Sequence, residues 1–463
     1  MLSDSVGVVV TAVGVADRLL VPFEGEGSGV GELSWGQREM WGAIQRLGSS
    51  MAVGGVSLLP PGMSPEQAAA VLSFIMSRHQ SLRTRLRFDA DGRVRQAVAA
   101  AGTATLEIVD AGDAEPAAVA EAVWGRLHSV EFDYADEWPV RMAVIRHRAA
   151  LTHMVVSYPH FAIDGGGLAV LVADLSNVDA STGRPTAPAR GLPPLEQARW
   201  QAGPAGQRRS AASLQHWERL LRGIPARRFP VPASHGGPRF QEAEYRSPAM
   251  DLAARVVAAR VGLDTSPVLL AAIAVALARA TGINPSVALV VVSNRFRPGL
   301  ADSVSAVSLP GLCVIDAADS TFDEAVTRAW QSSLAAYKNA YYDPAERDRL
   351  VARLSRERAE DIDIFCLVND RRDPPRREVS GPPPGLDEIR AALPAGRLNW
   401  REVPVDPVSE RFSLRVNDVP GTVEMQVAID THHVPPATIE AFLRAAEAVT
   451  VQAALDPAAR TGV

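Results

Sequence analysis

The sequence predicts a mixed α/β protein made of two lobes of related build. Its 463 residues are more than a single hydrophobic core usually supports, so two domains are expected. Both halves of the chain alternate amphipathic helices with apolar strands and β-hairpins. Between the halves lies a stretch rich in proline, glycine, serine and threonine, residues 179–194, which predicts a linker. The predicted lobes are therefore residues 1–180 and 195–463.

Local signals predict the elements of the first half. Residues 6–23 have the pattern of a strand pair rather than of a signal peptide, because they lack a basic region. Ser34 with Gln37 three residues later forms the capping-box pattern of a helix start. The pair Asp91-Gly92 between two apolar runs predicts a hairpin. Further helices are predicted at 64–80 and 115–128, and further strands at 140–148 and 151–158.

The second half repeats this alternation. A helix is expected around Trp217, and the final hairpin leads into a helix. Residues 371–410 are rich in proline and too long for an idle connection, so we expect them to form a crossing segment. Helices are predicted at 266–280, 321–338 and 436–454, strands at 286–295 and 361–370, and the closing hairpin at 411–430.

Composition and charge exclude several classes of function. The net charge of -6 gives no overall attraction to nucleic acid or to an anionic membrane surface. No run reaches the roughly 18 apolar residues of a membrane helix. Cys313 and Cys366 lie in apolar runs, which is typical of small buried residues in a cytoplasmic protein and provides no metal-ligand set. The arginines at 371–377 are expected to form a solvated loop.

The sequence SYPHFAIDGGG, residues 157–167, has the composition of a catalytic turn. It follows an almost continuously apolar strand and places His160 four residues before Asp164 and three glycines. An imidazole suits proton transfer because its unperturbed pKa is near 6.5. Glycines allow a close approach of the backbone, and amides at a helix start can face an anion. A lone histidine is more often a core residue, so the assignment depends on the surrounding motifs.

Several stretches together resemble the condensation domains of nonribosomal peptide synthetases. LSWGQREMW (33–41) is similar to the first motif of that family, RHQSLRTRL (78–86) to the second, and PHFAIDGG (159–166) to its HHxxxDG active-site motif. The segments around SNRFRP and FCLVND, and the closing hairpin with its helix, resemble later parts of the family. The matches follow the family's order from about residue 30 to 455. We therefore expect a condensation domain, standing alone rather than inside a megasynthase.

The resemblance implies a fold and a class of substrates. The fold would be two lobes like chloramphenicol acetyltransferase, arranged in a V as a pseudo-dimer, with a tunnel between them. Donor thioester and acceptor would arrive from opposite faces, each usually on the phosphopantetheine arm of an acyl or peptidyl carrier protein. No cofactor or metal is expected. The protein is expected to be a monomer. Because the sequence has no carrier, adenylation or thioesterase stretch, substrates would come from carrier proteins or as a small-molecule acceptor.

The resemblance also assigns roles to the motif residues. His160 matches the family's second histidine, acting either as the general base or by orienting the nucleophile and stabilising the charged intermediate. Asp164 would be structural, in a salt bridge with an arginine. Arg295 is the candidate partner and Arg297 its rival. Asn369 matches a polar position near the family's tunnel.

The glycines of the motif have two interpretations. Gly165 and Gly166 either let the backbone approach the substrate, with their N–H groups facing the oxyanion, or only permit the turn.

Pro159 is the departure from the motif, since the family usually has histidine there. Proline brings neither an imidazole nor an N–H.

Three functions are compatible with the sequence: a condensation enzyme that forms an amide or ester, an acyltransferase that uses coenzyme A thioesters, and a degenerate domain that recruits a tailoring enzyme. The identity of donor and acceptor stays open.

Overall fold

The computed structural model describes residues 14–179, 185–230, 238–373, 377–378, 381–403 and 411–463. The chain forms two compact units. The first unit is Met1–Gln207 with Ser293–Ser308, and the second is Arg208–Val292 with Leu309–Val463.

The first unit contains two sheets and the helices that cover them. A five-stranded sheet has the order β1-β6-β7-β8-β3, with β6 and β7 parallel and the other pairs antiparallel, and a three-stranded antiparallel sheet has the order β2-β5-β4. The strands are β1 (Val15–Glu24), β2 (Gly29–Glu32), β3 (Val53–Leu58), β4 (Thr84–Phe88), β5 (Val94–Val98), β6 (Ala101–Asp110), β7 (Arg141–His147) and β8 (Ala150–Tyr158). The helices are α1 (Trp35–Leu47), α2 (Pro65–Arg78), α3 (Pro116–Ser129), α4 (Gly165–Asp174) and α5 (Pro194–Ala202), with single 3-10 turns at Gln80–Arg83 and Leu175–Asn177.

Strand β8 is buried on both faces of the five-stranded sheet. Val156 belongs to the apolar cluster that includes residues of α2, and Val155 belongs to the cluster that includes residues of α3. A strand covered on both sides needs apolar residues at successive positions, which accounts for its nearly continuous apolar sequence. The strand leads directly into the loop that precedes α4.

The second unit is built on one seven-stranded sheet with the order β11-β10-β12-β14-β15-β9-β13. The strands are β9 (Phe240–Ser247), β10 (Ser286–Val292), β11 (Leu309–Ile315), β12 (Leu367–Asp370), β13 (Arg397–Glu402), β14 (Phe412–Asn417) and β15 (Val423–Asp430). The helices are α6 (Pro204–Gly223), which begins in the first unit, α7 (Pro248–Val261), α8 (Thr265–Thr281), α9 (Phe322–Lys338), α10 (Pro344–Arg358), α11 (Leu386–Ala392) and α12 (Pro436–Leu455), with a 3-10 turn at Leu393–Ala395.

The core of the second unit lies on both faces of its sheet. Helices α7, α8, α9 and α12 pack on one face in the largest apolar cluster. Helices α6 and α10 pack on the other face against β10 and β11, and Trp217 is fully buried there. The two cysteines are buried and unpaired, as the sequence predicted, and burial raises the pKa of the Cys313 thiol to about 11 and that of Cys366 to about 12.

Most predicted helix starts and turns are confirmed. Ser34 and Ser64 each form a complete capping box with the glutamine three residues later. Gly92 has φ of 80° in the hairpin between β4 and β5. In the predicted strand pair at 6–23, the described residues form the single strand β1, and residues 1–13 lie outside the described part.

The predicted strand at 361–370 is much shorter in the structure. Only β12 pairs with neighbours, because the main chain before it bonds elsewhere. The Asp363 amide donates to the Ala226 carbonyl at 2.8 Å, and the Phe365 amide donates to the Asp363 carboxylate at 2.9 Å.

The boundary between the units falls at Gln207, inside α6, rather than in the linker expected at 179–194. Helix α5 explains this difference, because Gln201 accepts a hydrogen bond from the Trp35 amide at 2.8 Å and so ties α5 to the first unit. Residues 180–184 of the expected linker lie outside the described part.

One segment from the second half of the chain belongs to the first unit, and it is not the segment that the sequence predicted. This segment is Ser293–Ser308, and the Ser81 hydroxyl donates to its Val304 carbonyl at 2.6 Å. The crossing segment expected at 371–410 belongs to the second unit instead. Parts of it lie outside the described residues: 374–376, 379–380 and 404–410.

No single helix among the described residues is long and apolar enough to cross a membrane. Within the described part of the chain, α7 and α8 taken as a pair meet that criterion by length and composition, and they are bent by 112° at their junction.

Candidate active site

The loop between β8 and α4 carries the predicted motif residues. It begins with a tight turn in which the Ala162 amide donates to the Pro159 carbonyl at 2.9 Å. It ends at Asp164, whose extended backbone (φ -99°, ψ 175°) places its side chain at the start of α4. There one carboxylate oxygen accepts a hydrogen bond from the Gly167 amide at 2.7 Å. The loop is therefore fixed to the helix by its last residue.

His160 lies on this loop and is partly exposed. Its amide donates to the Ser50 carbonyl at 3.1 Å. Its ring nitrogen Nδ1 is buried and has no hydrogen-bond partner among the described residues. A buried polar atom without a partner is costly, and such atoms are frequent at functional sites.

Asp164 is buried and paired with Arg295. The two Nη atoms of Arg295 lie 2.8 Å from Oδ1 and 3.1 Å from Oδ2 of Asp164, and only 3% of Asp164 is exposed. Oδ2 also accepts hydrogen bonds from the amides of Val307 and Ser308, both at 2.9 Å, and from the Ser308 hydroxyl at 2.8 Å. The carboxylate therefore joins the active-site loop to segment Ser293–Ser308.

The ionised form of Asp164 is favoured by these contacts. Burial alone would raise the pKa of its carboxyl group, but the charge of Arg295 and the hydrogen bonds from Arg295, Val307 and Gly167 outweigh burial. The pKa of Asp164 is consequently lower than its ordinary value. A buried charge with this many donors holds its loop in one position.

Arg297, the rival partner of Asp164, is engaged elsewhere. Its Nε donates to the side chain of Asn294 at 2.9 Å. Asn294 is fully buried with φ of 57°, a conformation that few residues other than glycine and asparagine adopt. This turn directs Arg295, and not Arg297, toward Asp164.

The three glycines of the motif have different surroundings. A Cβ atom on Gly166 would lie 2.7 Å from Arg295 Nη1, and one on Gly167 would lie 2.9 Å from the Ser305 carbonyl oxygen. Gly165 has open space around it. Close packing on Arg295 is therefore the reason for Gly166, and close packing on the Ser305 carbonyl and Ile163 is the reason for Gly167, which sequence reasoning did not single out.

The family model for the condensation domain matches residues 30–460. The chain belongs to the condensation-domain family. This confirms the family and the mixed α/β, acetyltransferase-like fold class predicted from the sequence. Condensation domains of this kind take part in nonribosomal peptide synthesis, generally form amide bonds and work with carrier-protein domains.

Two curated relatives are large synthetases. The isonitrile lipopeptide synthase of Mycobacterium tuberculosis is 31% identical over 332 residues, which are 66% of this chain and 13% of that protein. Phosphinothricin tripeptide synthetase PhsC of Streptomyces viridochromogenes is 28% identical over 306 residues, 61% of this chain and 27% of that protein. The chain thus matches only a small part of the length of either relative.

Solved structures share the fold of this condensation domain at low sequence identity. One concerns condensation domain-mediated chain release from the enacyloxin polyketide synthase (TM-score 0.69, 20% identity, 92% of this chain, 83% of that chain). Another is SgcC5 from Streptomyces globisporus, in complex with a naphthyl ethanediol and sucrose (0.67, 21%, 93%, 100%). A third is the complex of the X-domain and OxyB from teicoplanin biosynthesis (0.68, 19%, 93%, 94%).

Arg78, in the stretch that resembles the second motif of the family, holds the far end of α4. The guanidinium of Arg78, at the end of α2, pairs with both oxygens of Asp174, the last residue of α4, with Nη2 2.9 Å from Oδ1. Arg78 also donates to the carbonyls of Ala187 and Pro188, at 2.6 and 3.1 Å. Helix α4 is therefore held at its start by Asp164 and at its end by Arg78.

Asn369 lies in the second unit rather than on the loop of His160. It is half-buried in β12, opposite Arg415 of β14. The structure therefore brings together Pro159, His160, Asp164, Arg295 and the motif glycines within the first unit, and it assigns Asn369 to the other unit.

The arginine cluster predicted as a solvated loop at 371–377 is solvated only in part, because Arg371 is exposed while Arg372 and Arg377 are engaged with neighbouring residues. Arg372 is buried and pairs with Asp370, with Nη2 to Oδ2 at 2.8 Å. Arg377 donates to the Arg372 carbonyl at 2.7 Å. The carboxylate of Asp370 needs these cations because it is itself poorly solvated. Arg376 lies outside the described residues.

The described residues contain no group of three or more histidine, cysteine, aspartate or glutamate side chains that could hold a metal ion.

Proposed function

We propose that this condensation domain transfers an acyl or aminoacyl group from a carrier-protein thioester to an amine or hydroxyl acceptor, forming an amide or ester. The observation that supports this is the loop of His160. Its imidazole has a buried Nδ1 without a partner, on a loop that is fixed by Asp164 and Arg295. His160 is also partly exposed and makes no side-chain hydrogen bond within the described residues, so its imidazole is held in place and stays available to an acceptor.

In this proposal His160 acts on the acceptor. The acceptor nitrogen or oxygen attacks the thioester carbonyl carbon, and its proton passes to the imidazole, or the imidazole orients that proton. The tetrahedral oxyanion then collapses, the carbon–sulfur bond breaks, and the thiol leaves with a proton. Each step needs only a base and a site for negative charge.

The start of α4 offers donors for that negative charge. Among the described residues, the amides of Gly165 and Gly166 have no hydrogen-bond acceptor, whereas the Gly167 amide is taken by Asp164. Free amides at the positive end of a helix stabilise an anion. We assign these two amides to the oxyanion.

The substrates belong to the same proposal. Donor, and in some reactions acceptor, would arrive on phosphopantetheine arms of acyl or peptidyl carrier proteins, and a small-molecule acceptor is the alternative. The protein would need no cofactor of its own and would act as a stand-alone monomer. Intact mass and light scattering of the natively produced protein test whether it is a stand-alone monomer.

A second candidate function is a recruitment platform without chemistry. Two observations favour it: Pro159 replaces the histidine expected in the motif, and the fold matches an X-domain solved in complex with OxyB. In this case the protein would bind a tailoring enzyme, and His160 would be dispensable.

Intact-mass spectrometry of acyl-loaded carriers tests the proposal. Carriers would be incubated with the protein and a panel of amines and alcohols, with a free acyl-coenzyme A donor in parallel. We expect transfer from the carrier, and His160→Ala should lower its rate by roughly 10²- to 10⁴-fold because a general base is lost. The melting temperature should change little, since His160 contributes no side-chain hydrogen bond in the described structure.

His128→Ala is the matched control, because His128 is exposed at the end of α3. It should leave transfer unchanged. A rate of transfer in His160→Ala that equals the rate of the parent would contradict the mechanism. Transfer from coenzyme A alone would favour the coenzyme A-dependent acyltransferase, and binding of a partner enzyme without transfer would favour the recruitment platform.

A further inference from the structure

We propose that Ser50 is a positioning residue for His160, and that it replaces support that Pro159 cannot give. The inference rests on the proposed function, because it assigns Ser50 to the placement of the reacting imidazole. It depends on contacts between the segment after α1 and the loop after β8.

The backbone of His160 is held from across the loop. Its amide donates to the Ser50 carbonyl at 3.1 Å, while its Nδ1 has no partner among the described residues. The preceding residue, Pro159, is buried and has no N–H to anchor this part of the loop. The carbonyl of Ser50 therefore supplies the hydrogen bond that fixes the point from which the imidazole projects.

Ser50 is itself fixed on its other side. Only 4% of Ser50 is exposed, and its hydroxyl oxygen accepts a hydrogen bond from the Phe132 amide at 2.9 Å. The ring of Phe132 is covered by the guanidinium of Arg141, 3.8 Å from the ring centroid. The side chain of Ser50 thus connects His160 to a well-anchored segment before β7.

The backbone on either side of Ser50 adopts left-handed conformations. Gly48 (φ 59°) and Met51 (φ 47°) are both left-handed, so the chain turns sharply on either side of Ser50. Strand β3 then pairs with β8, with Val53 opposite Tyr158. A left-handed methionine is strained, and such strain is found where the surrounding structure requires one geometry.

Replacing Ser50 by alanine removes the acceptor for the Phe132 amide and keeps the Ser50 carbonyl. The buried amide then lacks a partner, so the segment around residue 50 is free to shift. A small displacement of His160 lowers kcat, because proton transfer depends steeply on geometry. KM should be unaffected, since Ser50 is buried and is not assigned to substrate.

Hydrogen exchange tests the contact without any requirement for turnover. In the parent protein we expect the His160 amide to exchange slowly, and in Ser50→Ala to exchange at least tenfold faster. Rapid exchange of this amide in the folded parent would overturn the proposal even if Ser50→Ala failed to fold. The measurement therefore separates this inference from the proposed acyl transfer.

Kinetics with a matched control test the consequence. Ser213 is also fully buried and donates its hydroxyl to the Tyr341 carbonyl at 3.1 Å, but it lies in the second unit. We expect Ser50→Ala to lower kcat about tenfold or more at unchanged KM, and Ser213→Ala to lower only the melting temperature. Equal kcat values in the two variants would reduce Ser50 to a purely structural residue.

A double-mutant cycle with Pro159→His tests the replacement itself. Histidine at 159 restores an N–H and an imidazole beside His160. The kcat loss caused by Ser50→Ala should then be at least threefold smaller in the Pro159→His background than in the parent. Strictly additive effects would mean that Ser50 and residue 159 act independently, which would contradict the proposal.

Discussion

Asp164 is the residue whose replacement should affect stability and activity together. Asp164→Asn removes a buried charge and leaves the guanidinium of Arg295 with neutral acceptors, among them the carbonyls of Ser303 and Ser305. Breaking a buried pair by removing one partner costs about 3–5 kcal/mol, so we expect a loss of that order in the free energy of unfolding. Urea denaturation at pH 7 measures this loss. Asp113→Asn, at an exposed loop position, is the control.

The ionisation of Asp164 should make the free energy of unfolding depend on pH. The pKa of Asp164 is lower in the folded protein than in the unfolded chain. The unfolded chain therefore takes up the proton first as pH falls, and the stabilisation is complete above the ordinary carboxyl pKa of about 3.9 and declines as pH falls toward the folded pKa. The parent should lose more unfolding free energy than Asp164→Asn between pH 5 and the acid transition. Parallel profiles would show that folding does not lower the pKa of Asp164.

Residue patterns indicated the candidate side chains of the loop better than the contacts that support them. The motif identified His160 and Asp164, but the choice between Arg295 and Arg297 depended on the left-handed turn at Asn294, which no local pattern indicates. Supporting contacts through main-chain atoms have no sequence signature. For this reason the Ser50 carbonyl could not have been predicted.

Helix α4 depends on glycine at two of its first three positions. Gly166→Ala should push the guanidinium of Arg295 away from Asp164, because the new Cβ would lie 2.7 Å from Arg295 Nη1. Overpacking of this kind costs about 1–3 kcal/mol, so the variant should be less stable and less active. Gly165→Ala has open space and keeps its amide, so stability should rise slightly. Thermal unfolding and transfer assays of both variants would test this contrast, and similar losses in the two would contradict it.

Helix starts were predictable because their capping contacts are made between residues that are close in the sequence. The capping boxes at Ser34 and Ser64 placed α1 and α2 to within a residue or two. Strand length was harder to predict, because pairing depends on distant partners. Residues 361–365 were expected to continue the strand, yet contacts of Asp363 with Ala226 and Phe365 hold this stretch outside the sheet.

The division of the chain into units also depends on distant contacts. The composition of residues 179–194 suggested a boundary, but the first unit is completed by Ser293–Ser308. Three hydrogen bonds from Val307 and Ser308 to Asp164, and one from Gln197 to the Ser305 hydroxyl at 2.9 Å, hold that segment. No composition signal marks a segment whose partners lie more than 100 residues away.

This arrangement predicts that residues 1–207 alone do not form a stable unit. Without Ser293–Ser308, the carboxylate of Asp164 loses Arg295, Val307 and Ser308 and becomes a buried charge without a cation. We expect the fragment to melt without a sharp transition in circular dichroism. Joining residues 293–308 to its C-terminus through a flexible glycine–serine linker should restore cooperative melting.

The linked fragment with Arg295→Ala is the matched control for that experiment. It keeps the added length and most of the segment's contacts but removes the cation that Asp164 needs, so it should melt at a lower temperature than the linked parent. If residues 1–207 unfold as cooperatively as the linked fragment, the segment is not required to complete the unit. If Arg295→Ala has no effect in the linked fragment, apolar packing rather than the ion pair holds the segment, and the active-site loop would not owe its position to the second half of the chain.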